Sequence, residues 1–260
     1  ELIVGSHDGS LNIISGFGNQ LATYQVNGSI NGSPAAIDLD QDGDLEVVFT
    51  SYNGNSGDVH AMHHDGSTFY GFPVYLNEKM MGGAAAGDLN GDGYPELVVC
   101  TDDDNVYAIK KDGSIMPGFP FTSTDRFYNA PTLVDLDFDG DLEIIVGNRR
   151  GTLQVLHHDG TEMASYEVGD DIRGGISVAD LNDDGSYELL VTSYEDMIHV
   201  WNPIDGEELE GWPVDMGSNA LTEPVTADLD NDGDLEIVAT TRSGMAYVFH
   251  HDATLYNNFP

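Results

Sequence analysis

Five short stretches of the sequence place carboxylates at a spacing that suits a metal ion. Each stretch has nine residues, with Asp or Asn at position 3, Asp at positions 1 and 5, Gly at position 6 and Glu at position 9. In a tight loop, the side chains at positions 1, 3 and 5 aim three oxygens at one point, and the glycine permits the sharp turn. Position 7 supplies a backbone carbonyl, and the glutamate closes the shell. Six or seven hard oxygens of this kind suit Ca²⁺.

The pattern therefore predicts about five calcium ions. The expected ligands, by side chain or by carbonyl, are Asp38, Asp40, Asp42, Asp44, Glu46, Asp88, Asn90, Asp92, Tyr94, Glu96, Asp135, Asp137, Asp139, Asp141, Glu143, Asp180, Asn182, Asp184, Ser186, Glu188, Asp228, Asp230, Asp232, Asp234 and Glu236. An EF-hand is excluded because position 12 is apolar in every loop and the flanks read as strands. The alternative is a set of solvated turns, but the clustered acids would then repel one another.

The elements around these loops repeat with them. Successive loops begin at Asp38, Asp88, Asp135, Asp180 and Asp228. A short apolar run precedes each loop, another follows it, and an alternating segment and an Asp-Gly or equivalent turn come next. A Gly-aromatic-Pro sequence then marks a fourth strand. We refer to these strands as A, B, C and D of each repeat, with the loop between A and B.

Four short strands in about 47 residues match one blade of a β-propeller. Because no segment keeps a 3.6-residue apolar period, no long helix is expected. The repeats predict an all-β propeller of about six blades over residues 1–260, in one domain. Six B-C-D sets but only five A strands are present, so one blade is expected to lack its inner strand. The last D strand is placed at Phe259-Pro260, and the abrupt ends favour a fragment of a longer protein.

Composition limits the possible partners. Acidic residues outnumber basic ones 46 to 8, which gives a net charge of -38 and a pI near 4.1. Such a polyanion repels the phosphates of nucleic acids and of anionic membranes, and no apolar run is long enough to insert into a bilayer. The single cysteine, Cys100, follows an apolar run and is expected to be buried. Clustered loops of moderate charge suit millimolar extracellular calcium better than cytosolic levels.

The nine-residue loops in units of this length resemble the FG-GAP/VCBS repeats of integrin-α-type β-propellers. The stretch from Asp65-Gly66 to Gly71-Phe72-Pro73-Val74 is similar to the bacterial and archaeal secreted versions. The resemblance covers the whole chain. It implies a propeller with calcium loops on one face, located outside the cell or on its surface, with an adhesive or sugar-binding role.

Two further sets of residues invite a functional interpretation. The pairs His63-His64, His157-His158 and His250-His251 end C strands, and adjacent strand residues point to opposite faces, so a structural role is favoured over a shared metal ion. Six of the eight basic residues fall in D-to-A and B-to-C loops, which share the face opposite the metal loops. This face is the expected site for a protein or glycan partner that carries a carboxylate or sulfate, bound by Arg126, Tyr128, Arg149, Arg150 and Arg173. The alternative is pairing of these arginines with Asp125, Asp170 and Asp171.

No catalytic motif is evident in the sequence. We therefore expect a non-enzymatic module for adhesion or surface interaction. A lectin-like carbohydrate-binding module and a part of a polysaccharide-active enzyme remain as alternatives. Trp201, Trp212 and the aromatics of the Gly-aromatic-Pro segments are expected to pack between blades.

Overall fold

The fold was obtained as a computed structural model that describes residues 1–257 and 259–260. Twenty-two strands form six small antiparallel sheets, and no α-helix occurs among the described residues. No helix in this part of the chain has the length and apolar character needed to cross a membrane. The predicted all-β fold of about six blades is confirmed.

Each sheet is a meander of consecutive strands. The strands of the first three sheets are Leu2–Gly5 (β1), Ser10–Ile14 (β2), Gln20–Gln25 (β3); Ala35–Ile37 (β4), Glu46–Asn53 (β5), Ser56–Met62 (β6), Val74–Tyr75 (β7); Ala85–Gly87 (β8), Glu96–Cys100 (β9), Asn105–Ile109 (β10) and Phe121–Thr122 (β11). The strands of the last three are Thr132–Val134 (β12), Glu143–Gly147 (β13), Thr152–Leu156 (β14), Glu162–Glu167 (β15); Ser177–Ala179 (β16), Glu188–Thr192 (β17), Met197–Trp201 (β18), Val214–Asp215 (β19); Val225–Ala227 (β20), Glu236–Thr240 (β21) and Ala246–Phe249 (β22).

The A strands are the innermost strands of the sheets. Strand β8 contacts both β4 and β12, which are the A strands of its two neighbours. Among the described residues, the first sheet consists of β1 to β3 without an A strand, as predicted.

One detail of the predicted repeat was wrong. The Gly-aromatic-Pro segments lie in the turn before strand D, because β7 begins at Val74 and β19 begins at Val214, each directly after the proline. Phe259-Pro260 therefore forms no D strand, and the sixth sheet has three strands among the described residues.

Apolar side chains fill the spaces between neighbouring sheets. Five clusters of buried residues join sheets one and two, two and three, three and four, four and five, and five and six. Trp212 packs between the fifth and sixth sheets and Phe72 between the second and third, as predicted. Cys100 is buried between the third and fourth sheets, and burial raises the pKa of its thiol.

The A-to-B loops lie on one face of the propeller, and the B-to-C and D-to-A loops lie on the other. The five B strands from β5 onwards each begin at the glutamate of a nine-residue loop and end at a B-to-C loop, so these loops lie at opposite ends of the strand. In sheets two to six, backbone hydrogen bonds tie the B-to-C loop to the preceding D-to-A connection. Examples are Asp102 N–H to the Lys79 carbonyl at 2.7 Å and Arg149 N–H to the Arg126 carbonyl at 3.0 Å. The D-to-A and B-to-C loops therefore share one face, as predicted.

His60 on β6 makes the folded protein sensitive to acid. Its ring stacks on Phe49 at a centroid distance of 4.7 Å, and its Nε2 lies 2.9 Å from Ser51 Oγ. Burial lowers the pKa of His60 to about 4. In the unfolded chain, His60 therefore binds a proton as the pH falls to about 6.5. In the folded chain, it remains neutral at that pH. The stability due to neutral His60 is present above pH 6.5 and is lost as the pH falls towards 4.

We expect His60→Gln to flatten the pH dependence of stability. The wild-type protein should lose about 3 kcal/mol more than the variant between pH 7 and pH 4, because a pKa displacement of this size is worth roughly that much. Urea unfolding at both pH values, followed by circular dichroism, measures the difference. Equal losses in the two proteins would contradict the assignment.

Candidate functional site

The five nine-residue loops share one backbone conformation. Position 4 has a positive φ in every loop, from 55° at Asp183 to 66° at Gln41 and Gly91, and position 6 is a glycine with φ between 88° and 105°. The glycine at position 6 was predicted. The left-handed residue at position 4 was not, because four of the five are not glycine. Two left-handed residues in nine fold each loop back on itself, which brings positions 1, 3 and 5 together.

Backbone N–H groups hold the aspartate at position 1 in place. In the first loop, the N–H groups of Asp42 and Gly43 donate to Asp38 Oδ1 and Oδ2 at 3.1 and 3.0 Å. The loops that begin at Asp88 and Asp180 repeat both bonds. Local hydrogen bonds thus orient the carboxylate at position 1 independently of any cation.

The carboxylates meet closely enough to share a cation. Oxygen atoms from Asp38, Asp40 and Asp42 lie within 4.8 Å of one another, and so do those of Asp228, Asp230 and Asp232. In the third loop, Asp135, Asp137 and Glu143 form such a group. Asp135 Oδ1 is buried and has no hydrogen-bond partner. A buried carboxylate oxygen without a partner is costly, and a hard cation would satisfy it. The donor set therefore fits Ca²⁺.

The carboxylate of the glutamate at position 9 faces the centre of the loop and also accepts a backbone hydrogen bond within it. It is almost fully buried in all five loops. Its Oε2 accepts the N–H of the leucine at position 2, at 3.0 Å for Glu46 with Leu39 and at 2.8 Å for Glu236 with Leu229. This bond closes the loop from its last residue to its second, a role that the sequence analysis did not assign.

Buried glutamates next to aspartates favour a cation. Burial raises the pKa of Glu96, Glu143 and Glu188, to about 6 for Glu188, and the loop aspartates raise it further. The Leu181 N–H opposes this by stabilising the ionised form of Glu188. The ionised glutamates are therefore only partly compensated by the protein, and a bound cation would supply the missing charge.

The histidine pairs contact the loops of their own blades. His63 Nδ1 lies 3.0 Å from Glu46 Oε1, and His250 Nδ1 lies 3.0 Å from Glu236 Oε1. The second member of each pair faces position 7 instead, with His158 Nδ1 3.1 Å from Asp141 Oδ2. The two rings of a pair thus have different partners, which agrees with the structural role predicted for them. Their support of the loops was missed.

The repeats contained a signal for this contact. The three loops with aspartate at position 7 are those whose blades carry a His-His pair, at the ends of β6, β14 and β22. The third blade has Tyr94 at position 7 and lysines instead, and Lys111 Nζ lies 3.0 Å from the Tyr94 ring centroid. Position 7 and the end of strand C therefore change together.

On the opposite face, basic side chains lie over tyrosine rings. The Arg149 and Arg173 guanidinium carbons lie 5.1 and 5.7 Å from the Tyr128 ring centroid. Arg173 also lies 4.7 Å from the Tyr194 ring, and Arg242 donates to Tyr194 Oη at 3.1 Å. We call these five residues, Tyr128, Arg149, Arg173, Tyr194 and Arg242, the arginine–tyrosine face.

Asp171 holds the two central arginines. The Nε atoms of Arg149 and Arg173 donate to the same Asp171 Oδ2, at 3.2 and 2.7 Å. Asp171 is buried, and its Oδ1 has no partner. The hydrogen bond with Asp171 raises the pKa of Arg149. Both guanidinium groups are thus oriented by one carboxylate, while their side chains stay about one third exposed.

The structure brings together part of the predicted ligand-binding set. Tyr128, Arg149 and Arg173 meet around Asp171, so pairing with a local acid and clustering of the arginines occur together. Arg126 lies 3.9 Å from Asp125 in an exposed pair, and the Arg150 side chain is exposed. Tyr194 and Arg242 belong to the same cluster, and the sequence analysis does not predict either of them.

Comparisons with known proteins agree with this architecture. A family model described as an FG-GAP-like repeat matches residues 38–99, 88–146, 135–191 and 180–239. No curated protein matches the chain significantly. No catalytic family is named by these comparisons.

Several solved structures share the fold. BamB from Moraxella catarrhalis superposes with a TM-score of 0.71 at 16% identity, covering 99% of this chain and 73% of that one. BBS1N, solved in complex with ARL6DN, gives 0.68 at 12% identity, with 99% and 78% coverage. The V. cholerae biofilm matrix protein Bap1 gives 0.69 at 20% identity, with 88% and 39% coverage. At these identities the likeness concerns the fold.

Proposed function

This chain belongs to the FG-GAP-like repeat family, and we propose that it is a calcium-stabilised, non-catalytic propeller module that binds a partner protein outside the cell through its arginine–tyrosine face. The observation that carries the proposal is the clustering of scarce arginines on tyrosine rings at one face of an acidic protein. The metal loops would stabilise the scaffold from the other face.

The composition of the arginine–tyrosine face suits a protein partner. Tyrosine and arginine are enriched among the residues that contribute most to protein–protein affinity. Asp171 orients Arg149 and Arg173 in advance, so less side-chain entropy is lost on binding. The remaining N–H groups of two guanidinium groups can receive a carboxylate of the partner. Repulsion from the rest of the surface would steer that carboxylate to this face.

The printed names of the structural relatives support a binding role. BBS1N was solved as a complex with a second protein, and Bap1 is described as a biofilm matrix protein. Both descriptions concern those proteins, and they support a binding role for the same fold here. An extracellular location accords with loops whose donor sets suit millimolar calcium.

The partner face can be tested by site-specific cross-linking. A photoreactive benzoylphenylalanine at Tyr128 should cross-link a protein from the extracellular fraction of the source organism, and the same group at Tyr94, on the calcium-loop side, should not. The purified partner must then bind the unmodified chain. Binding only on a glycan array would favour the lectin-like alternative. Product release from a polysaccharide panel would favour an enzyme.

The histidine pairs predict a graded effect on calcium affinity. His157 faces Glu143 in the third loop at 3.6 Å. Groups that hydrogen-bond to metal ligands and orient them typically contribute about tenfold or more to the affinity for the metal. We expect His157→Ala to weaken one of about five calcium sites by about tenfold in calorimetric titration. His7→Ala is the control, because His7 contacts Ser29 on the opposite face. Unchanged affinity at every site in His157→Ala would contradict this role.

A further inference from the structure

Two of the outer strands are long enough to pair with a further strand. Where the described residues include strand D, it forms the outer edge of its sheet, and β7, β11 and β19 have two residues each. Strands β3 and β15 have six residues each, at the outer edges of the first and fourth sheets. No strand of the described chain pairs with the outer side of either one. Their outward backbone N–H and C=O groups are therefore available for pairing.

These two strands are nearly identical except in charge. Strand β3 is Gln-Leu-Ala-Thr-Tyr-Gln, and β15 is Glu-Met-Ala-Ser-Tyr-Glu. Each pairs with its strand C in the same register and has a bulge at its second residue. In both cases the glycine of the next blade's Asp-Gly turn packs against the tyrosine, Tyr24 or Tyr166. The main difference is therefore that β15 has a glutamate at each end where β3 has a glutamine.

The side chains at the ends and near the middle of both strands face the solvent. The equivalent exposed residues are Gln20 and Glu162, Thr23 and Ser165, and Gln25 and Glu167. Ser165 stays exposed although the fourth sheet packs against a neighbouring sheet on each side. The exposure of these positions is therefore a property of the outer strand itself.

Charged side chains protect β15 and are absent from the sequence around β3. About one residue in five of the whole chain is charged, yet residues 9–37, which contain β2, β3 and β4, include none. The next longest neutral stretches, 66–77 and 113–124, are less than half as long. Charged side chains on an edge strand commonly prevent it from pairing with another chain. Strand β15 has this protection at both ends, and β3 lacks it.

We propose that β3 is the site at which two copies of this chain associate. The two β3 strands pair antiparallel about a two-fold axis, and main-chain hydrogen bonds join the two first sheets into one. Each copy carries a net charge of -38, so two copies repel each other least where the surface is neutral. A basic partner would be attracted to the acidic surface elsewhere, so a neutral strand would give it no advantage. A second copy is therefore the partner that β3 fits.

This interface is separate from the arginine–tyrosine face. Strand β3 belongs to the first sheet, whereas the arginine–tyrosine face is built from loops of later sheets. The proposal therefore does not depend on the function proposed above. Pairing uses the one long, uncharged outer edge among the described strands, so association should stop at the dimer.

Sedimentation velocity at increasing protein concentration measures the association. We expect a monomer–dimer equilibrium that shifts towards the dimer when the salt concentration is raised from about 0.1 M to about 1 M, because salt screens the repulsion between two acidic copies. The variant Gln20→Glu with Gln25→Glu gives β3 the end residues of β15. It should weaken the dimer by at least about tenfold, because four carboxylates then meet on one ladder.

A matched control adds the same charge to other outer strands. Thr122→Glu with Ser165→Glu places two carboxylates at exposed positions of β11 and β15. This variant should dimerise almost as well as the unmodified chain. Circular dichroism verifies that both variants are folded.

Cross-linking locates the interface on β3. The single native cysteine, Cys100, is buried, so a cysteine introduced on an outer strand is the accessible thiol. A short bismaleimide should link two copies of Thr23→Cys, because Thr23 lies near the middle of β3. Ser165→Cys, at the equivalent position of β15, is the control and should stay unlinked.

Four results would overturn the proposal. The first is a monomer at every concentration up to about 1 mM, on the order of the weakest useful affinity. The second is equal dimerisation of the unmodified chain and the Gln20→Glu, Gln25→Glu variant. The third is equal cross-linking of Thr23→Cys and Ser165→Cys. The fourth is protection of the β3 amides from hydrogen exchange only after an extracellular extract is added, since another molecule would then occupy this edge.

Discussion

Chelation of calcium with excess EDTA is expected to lower the melting temperature of this protein by about 20 °C or more. A ligand that binds only the folded state stabilises it by about 2.7 kcal/mol per site when its concentration is a hundred times Kd. One kcal/mol shifts the melting temperature by about 2–4 °C in a domain of this size. Five loops with the same conformation should act together, because each lies at the start of a B strand in its own sheet.

Differential scanning calorimetry in millimolar calcium and in EDTA measures this shift. Calcium-saturated EDTA is the control for an effect of the chelator itself. Loss of calcium should also leave the carboxylates of each loop repelling one another, so added salt should recover part of the lost stability by screening. Identical melting curves with and without calcium would mean that the loops are solvated turns, and the calcium proposal would fail.

The sequence was most informative where the chemistry repeats. The five loops and the strand order within each blade follow from the spacing. The sharing of one face by the D-to-A and B-to-C loops follows from the propeller fold that the spacing predicts. The reason is that each blade buries its apolar face only against its neighbours, so the same pattern must recur in every repeat. Trp212 could be placed in an interface between blades for the same reason.

The contacts that support the loops could not be predicted as directly. The position-9 glutamate and His63 lie 17 residues apart, and their contact depends on the pairing of β5 with β6. The change of position 7 together with the end of strand C was visible between repeats. This joint change can be interpreted as a contact only when the structure shows that the two segments lie next to each other.

The start of strand D was a further feature that the sequence did not predict correctly. The recurrence of the Gly-aromatic-Pro segments together with strand D predicts that they belong to this strand. The structure places them in the preceding turn, where Gly71 has φ 89° and Gly211 has φ 96°. A left-handed glycine suits a turn and not a strand. The glycine, more than the aromatic residue, was therefore the better guide to where strand D begins.

Reversing two charges on the arginine–tyrosine face is expected to weaken partner binding by about a hundredfold or more. In the variant Arg149→Glu with Arg173→Glu, the two guanidinium groups are replaced by carboxylates beside Asp171. Truncation of one member of a buried charge pair at an interface commonly costs 2–5 kcal/mol, and about 2.7 kcal/mol is a hundredfold. The variant also loses three of the cation–ring contacts with Tyr128 and Tyr194. Surface plasmon resonance with the partner identified by cross-linking measures the loss.

The matched control changes the net charge by the same amount at another place. Lys110→Glu with Lys111→Glu lies on the calcium-loop side, where Lys111 contacts Tyr94. If the arginines act through direct contact, this control should alter the association rate only modestly, because long-range steering is screened at physiological salt. The milder variant Arg149→Gln with Arg173→Gln, together with calcium-dependent melting of each protein, separates lost contacts from lost folding. Equal weakening by the arginine and lysine variants would show that overall charge governs binding, and the assignment of the partner to the arginine–tyrosine face would be wrong.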